Sequence, residues 1–579
     1  MSTTHDTTPT PSGPWNPGIE SPVPSRLRPL CTIFRSENVF TSYAEARELR
    51  QLTGLEYSEL VAFRPERLAL HELLIRVTAD FSVPDGEKIE DLGINFRRIT
   101  RDLLDRDIEP HRAQIVSLYE ACSKQLRELI TTELAAVFRA TPQAHDPAPQ
   151  LARWEAIAHA PGDALQKSAC RALLKVVSAL LARHGRVWGT AELTASIAGN
   201  SACNDFASEE IGRAMDPWLE AAVGRGEHRL LPGQASPVVM NTKGASASGK
   251  STLRPLQRRL AGDIRTSWSE FALISPDIWR KQLLDYNALG DAYKYAGAFT
   301  GDELSIVDQK LDVYMARKAE RGPMSHLLID RFRFDSFAPD SDVAGSNLLT
   351  RFGQIVYLFF MITPPHSLVE RAWARGLDVG RYKAIDDTLA HAVEAYAGMP
   401  ELFFTWVQSA DKRVHFELLD NSVGPGERPR TVAFGWNDVL NVLDVKCMLD
   451  VERYRRVEID AREPDALFRD ERLLEPAKNM SFLRQCVARF REVSFADQAT
   501  GHVYLHLASG VPVWLDRPAL EHAAQDADTR AGLAAVAPRA LDGELEPDED
   551  ADFSTDLAGE RVHTIGRWGL DAPTGPGAA

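Results

Sequence analysis

Cysteine is scarce in this chain: six residues among 579, namely Cys31, Cys122, Cys170, Cys203, Cys447 and Cys486. They are widely scattered and form no CxxC pair, which excludes a zinc ribbon and a disulfide framework and fits a reducing cytoplasm. Long apolar runs are also missing. The most apolar stretch, Ile355–Ile362, is far too short to cross a bilayer and reads as a central strand, so no membrane contact is expected. The N-terminus is polar and proline-rich with no apolar h-region, so no signal peptide is expected. Basic residues are in deficit, 66 Lys and Arg against 82 Asp and Glu, for a net charge of −16. That balance argues against generic nucleic-acid binding and leaves only a local basic groove open. No internal repeat is visible. What is present is an ordinary globular composition, 44% apolar and 26% charged, on a chain long enough for two to four domains.

Residues 1–27 carry six prolines between Pro9 and Pro24 and read as a disordered tail. Residues 28–228 read as a helical domain, with apolar residues spaced three and four apart in Arg67–Thr78, Lys88–Leu104 and Ala113–Arg139. Residues 229–428 alternate short apolar runs with helical patterns. The expected strands are Val238–Thr242, Phe271–Ser275, His326–Asp330, Ile355–Ile362 and Val414–Leu419, with helices near 250–262, 277–286, 303–321, 366–376 and 384–397. Residues 429–530 read as a mixed extension with a hairpin around Ser509-Gly510, and 531–579 as an acidic disordered tail. The expected architecture is therefore α/β: a P-loop NTPase-type parallel sheet flanked by helices, with a mainly helical N-terminal region and a small mixed α+β C-terminal extension.

One motif carries chemistry. Residues 244–251 read Gly-Ala-Ser-Ala-Ser-Gly-Lys-Ser, a full match to GxxxxGK[ST] between an apolar run and a helical pattern. In such a loop Gly244, Ala245, Ser246, Ala247, Ser248, Gly249, Lys250, Ser251 and Thr252 present backbone N–H groups to a phosphate. Lys250 brings an ammonium to the β- and γ-phosphates, and Ser251 offers a hydroxyl to Mg²⁺. The cofactors expected are thus ATP and Mg²⁺. The competing reading is a Gly/Ser-rich surface loop.

Phosphoryl transfer also needs a metal ligand, a base and cations for the developing charge. Asp277, just past the second strand, is the candidate base, although Asp there also suits a helix N-cap. Asp330 ends an apolar strand in the manner of a Walker B element and could hold Mg²⁺ through water or contact the substrate; Asp335 is its substitute. Arg371, Arg375 and Arg381 follow the fourth strand, where a lid would close over a triphosphate. Two patterns are decoys. His71-Glu72-Leu73-Leu74-Ile75 lacks the second histidine of a zinc-protease motif, and Arg97, Arg98, Arg101 and Arg106 sit among acids that would pair with them.

In this order, the loop, Asp277, Asp330, Arg371 with Arg381, and Leu418-Leu419-Asp420-Asn421-Ser422 resemble the zeta-toxin family of P-loop small-molecule kinases over residues 230–425. The resemblance implies phosphorylation of a small molecule such as a nucleotide sugar. Lys250 would act on the phosphates, Ser251 on the metal, Asp277 as base, Arg371 and Arg381 as charge stabilisers, and Asn421 near the adenine. The family's Gly-rich strand end with a Glu is here Asp330-Arg331-Phe332-Arg333, which leaves the acceptor open. A nucleotide or polynucleotide acceptor is the alternative, as is a non-catalytic ATP-binding switch. The helical N-terminal region is the expected contact for a protein partner.

Overall fold

The computed structural model describes residues 12–138, 147–331, 353–542 and 557–569. The chain divides into two units. One comprises Met1–Ser21, Leu231–Pro276 and Asp312–Ala579; the other comprises Pro22–Leu230 with Asp277–Leu311. The expected single segment 229–428 is therefore interrupted, because residues 277–311 belong to the helical unit. No described helix is long and apolar enough to cross a membrane.

The first unit is built on ten strands: β1 Val238–Lys243, β2 Phe271–Ile274, β3 His326–Asp330, β4 Ile355–Ile362, β5 Arg413–Asp420, β6 Arg430–Trp436, β7 Val439–Val442, β8 Glu492–Ala496, β9 Val503–Ala508 and β10 Val511–Leu515. They form one sheet in the order β10-β9-β8-β7-β6-β5-β4-β1-β3-β2. The run β2-β3-β1-β4-β5 is parallel throughout. Parallel strands covered on both faces must be apolar nearly end to end, and β1, β2 and β4 are buried almost without a break. This order is compatible with a P-loop-type fold. The connection leaving β1 runs past β3 to β2, and the one leaving β3 runs past β1 to β4, so the C-terminal edge between β1 and β3 is a topological switch point.

Beyond β5 the sheet departs from the expected separate extension. β6 pairs antiparallel with β5, and β7 to β10 continue outward, so residues after 430 widen the same sheet. The β9–β10 hairpin turns through Ser509 at φ 49° and Gly510 at φ 76°, the left-handed pair that a two-residue turn requires. At the other end of the chain, Trp15 packs against Val369, Ile385, Leu389 and Val457, where the sequence suggests a disordered tail.

The helical unit packs long helices, among them Arg112–Phe138, Ala164–His184 and Ala191–Gly224, around a core that includes Leu126, Ile130, Trp154, Leu173, Val177 and Ala198. Helix Pro65–Asp80 is unusual, since every residue from Arg67 to Ala79 is buried. The charged residues of that buried stretch are partnered. Arg67 and His71 meet Glu303, Arg76 meets Glu72 and Asp216, and Glu72 accepts from Ser208. The truncated zinc-protease pattern is thus a structural network. Arg106 likewise pairs with Asp102 and Glu227.

Candidate functional site

Register brings the site together at the C-terminal edge of the parallel run. Thr242 lies beside Asp330, Lys243 beside Phe360, and Ile362 beside Asp420. The loop after β1, the carboxylate ending β3, Thr363 after β4 and Asn421 after β5 therefore emerge on one edge.

The loop is held in a wrapped conformation, with Ala247 at φ 64° and Gly249 at φ 94°. Lys250 Nζ donates to the carbonyls of Gly244 at 3.0 Å and Ala245 at 2.9 Å. Ser251 Oγ donates to Asp330 Oδ2 at 2.9 Å. Thr252 turns back to donate from Oγ1 to the Gly249 carbonyl at 2.6 Å. The chain then enters a 3₁₀ turn, Lys250–Leu253, and helix Arg254–Asp263, whose Pro255 sits at the N-terminal end where a missing N–H costs little.

These residues fit the groups a phosphate loop takes. Ser248 Oγ is buried without a partner among the described residues, an unused donor inside the loop. A hydroxyl and a carboxylate oxygen already in contact form a hard-oxygen pair suited to Mg²⁺.

The flanking residues are distributed less simply. Asp277 falls in the helical unit, in the 3₁₀ turn Pro276–Trp279, and its Oδ1 accepts from Arg280 Nε at 2.8 Å. Arg280 is fixed in turn by the Gly297 carbonyl and Thr300. The helix expected over 277–286 shrinks to this turn and Arg280–Leu283. Arg371, on helix Pro365–Val379, is engaged otherwise than as a lid: its Nη2 donates to the carbonyls of Asn421 at 2.7 Å and Val423 at 2.9 Å. Arg381 follows Gly380, which closes that helix in a left-handed conformation. Asn421 Nδ2 donates to the Ser248 carbonyl at 2.8 Å, so its side chain reaches the loop itself. Arg331 forms a buried pair with Asp312 at 2.5 Å. Asp335 lies outside the described residues.

Two site residues have no motif to announce them. Thr363 Oγ1 donates to the Ser248 carbonyl at 3.3 Å, and the Tyr396 hydroxyl brackets Thr363 by contacting both its N–H and its carbonyl. The available signal was positional: Thr363 is the first polar residue past β4, on the same edge as the loop.

Gly249→Ala tests the tightness of this packing. A Cβ there would stand 2.3 Å from Asn421 Nδ2, on a backbone at φ 94°. Strain of about 1–3 kcal/mol is expected, enough to displace Asn421. Calorimetry should show nucleotide affinity lost with a fall of only a few degrees in melting temperature; unchanged affinity would contradict the close approach.

No family model matches the chain, and no curated protein matches it. Among solved structures, it aligns with a chain from a study of the PezAT chromosomal toxin–antitoxin system of the human pathogen Streptococcus pneumoniae. The identity is 16%, the alignment covers 35% of this chain and 77% of that chain, and the TM-score is 0.23. An overlap at that score carries no weight for fold or function.

Proposed function

We propose that this chain is an ATP-dependent phosphotransferase that moves the γ-phosphoryl group to a hydroxyl of a small molecule such as a nucleotide sugar. The observation that carries this reading is the contact of Ser251 Oγ with Asp330 Oδ2 at 2.9 Å, next to a loop whose lysine already spans its own carbonyls. A GxxxxGKS string on a surface loop has no reason to meet a strand-end carboxylate; a metal-nucleotide site does.

In this mechanism the loop amides and Lys250 bind and orient the β- and γ-phosphates, and Arg381 offsets the charge that develops on the transferred group. Ser251 and Asp330 would hold Mg²⁺, which would supply positive charge against the phosphates. Asp277 takes the proton of the acceptor hydroxyl, with Arg280 holding its carboxylate in place. The helical unit is the proposed regulatory or partner-binding module.

The test is transfer of labelled γ-phosphate from ATP·Mg²⁺ to a panel of nucleotide sugars, NAD and nucleosides. Transfer should occur to one class and stop when EDTA removes the metal. ATP bound without any transfer would turn the assignment into a nucleotide-regulated switch, and no ATP binding would end it.

A further inference from the structure

The Ser248 carbonyl is held by two side chains from outside the loop. Asn421 Nδ2 donates to it at 2.8 Å and Thr363 Oγ1 at 3.3 Å, which fills both of its lone pairs. A trans peptide points its C=O and the following N–H to opposite sides of one plane. Donors that pin the Ser248 oxygen therefore aim the Gly249 amide the other way. That amide has no acceptor among the described residues, and it belongs to the loop that carries Lys250.

Asn421 is itself held from several directions. Its N–H donates to the Ile362 carbonyl at 2.8 Å, and its own carbonyl accepts from Arg371. Its neighbour Asp420 accepts from the Ser422 N–H and hydroxyl and pairs with Arg430 on β6. The side chain is buried, and the Cβ-free approach of Gly249 lets it come close. This is more restraint than a residue whose only task is to touch a base would need.

We propose that Asn421, held by Arg371, is a positioning residue of the phosphate loop. It fixes the Ser248 carbonyl and so presents the Gly249 amide to the bound phosphate. The inference rests on the ATP-binding reading above and assigns to Asn421 and Arg371 tasks other than adenine contact and lid closure. It also makes the loop's geometry depend on β6, through Arg430 and Asp420.

Binding of Mg²⁺·tripolyphosphate, which has no base, separates these roles from one another. Asn421→Asp places an oxygen against the Ser248 carbonyl. It should weaken tripolyphosphate and Mg²⁺·ATP by the same factor, about ten- to a hundredfold, with stoichiometry and ATP-over-GTP preference unchanged. Weakened ATP with unchanged tripolyphosphate, or an altered base preference, would overturn the proposal in favour of base contact. Should the Asn421→Asp protein fail to fold, Thr363→Val serves, with an equal loss of about two- to fivefold for both ligands expected; no loss for either overturns the proposal. Lys250→Ala is the control that must lose both ligands. Wild type that binds neither ligand would remove the ATP-binding reading and the proposal together. Wild type that binds both, beside an Asn421→Asp protein that binds tripolyphosphate equally well, would remove the proposal alone.

Discussion

Lys250→Ala is expected to lower kcat/KM for phosphoryl transfer by about a thousandfold, or about 4 kcal/mol. The ammonium already stands across the loop, bonded to the Gly244 and Ala245 carbonyls. Little reorganisation is needed to share it with a phosphate, and fixed charge of that kind is worth most in the transition state. Removing it deletes the cation and also the tie between the two carbonyls. Asp330→Asn should produce a loss of similar order by another route, since Ser251 keeps its hydroxyl but loses the anionic partner at 2.9 Å. The two variants are separable by metal titration. Asp330→Asn should raise the Mg²⁺ concentration needed for half-maximal transfer, and Lys250→Ala should leave that midpoint in place. Full activity in Lys250→Ala would show that the loop takes no part in transfer.

The parts of this site that were legible in the sequence are those with a local or periodic signature. β2 and β4 are apolar throughout because a parallel strand is covered on both faces, and His326–Asp330 and Ile355–Ile362 match the expected spans. The loop was legible because its conformation demands particular residues in a fixed order. The meeting of Ser251 with Asp330 followed from an apolar strand ending in an acid. What could not be read depends on which distant segments pair. Nothing in Arg430–Trp436 alone says that it will lie beside β5, yet that pairing turns an apparent extension into half of the sheet. Glu417 is a further case. It is a fully buried acid on β5 whose carboxylate accepts from Thr431 and from the Ile565 and Gly566 amides, tying the segment near 565 to the sheet. Arg371 shows the same limit at the site. Its spacing from Arg375 suggested a lid, but its chemistry is set by two carbonyls about fifty residues away in sequence.

Glu303→Ala is expected to destabilise the helical unit by about 3–5 kcal/mol, because it strands a buried guanidinium. Arg67 donates to both Glu303 oxygens, at 2.5 and 2.8 Å, and also to the Leu283 carbonyl. Burial works against the Glu303 carboxylate, but Arg67 and His71 together outweigh it and hold this group well below the usual carboxylate range. His71 is pushed the other way. Its burial, with Lys310 and Arg67 nearby, outweighs the bond to Glu303 and lowers its pKa to about 4. The folded imidazole is then neutral above about pH 4 and donates from Nε2 to Glu303 at 2.7 Å. An unfolded histidine takes up its proton near pH 6.5. Between about pH 6.5 and 4 the unfolded state thus binds one more proton than the folded state at this residue, and stability falls as pH drops, by about 3 kcal/mol in all. Glu303 adds its own loss as pH falls through the ordinary glutamate range, where the unfolded carboxyl begins to protonate, and on below it. Urea unfolding at several pH values checks both parts. His71→Gln keeps a donor for Glu303 but cannot titrate, so its stability should decline more gently than that of wild type between pH 6.5 and 4. Parallel curves would show that His71 is not the group that makes this helix acid-sensitive, while a Glu303→Ala protein as stable as wild type would show that Arg67 finds water once its partner is gone.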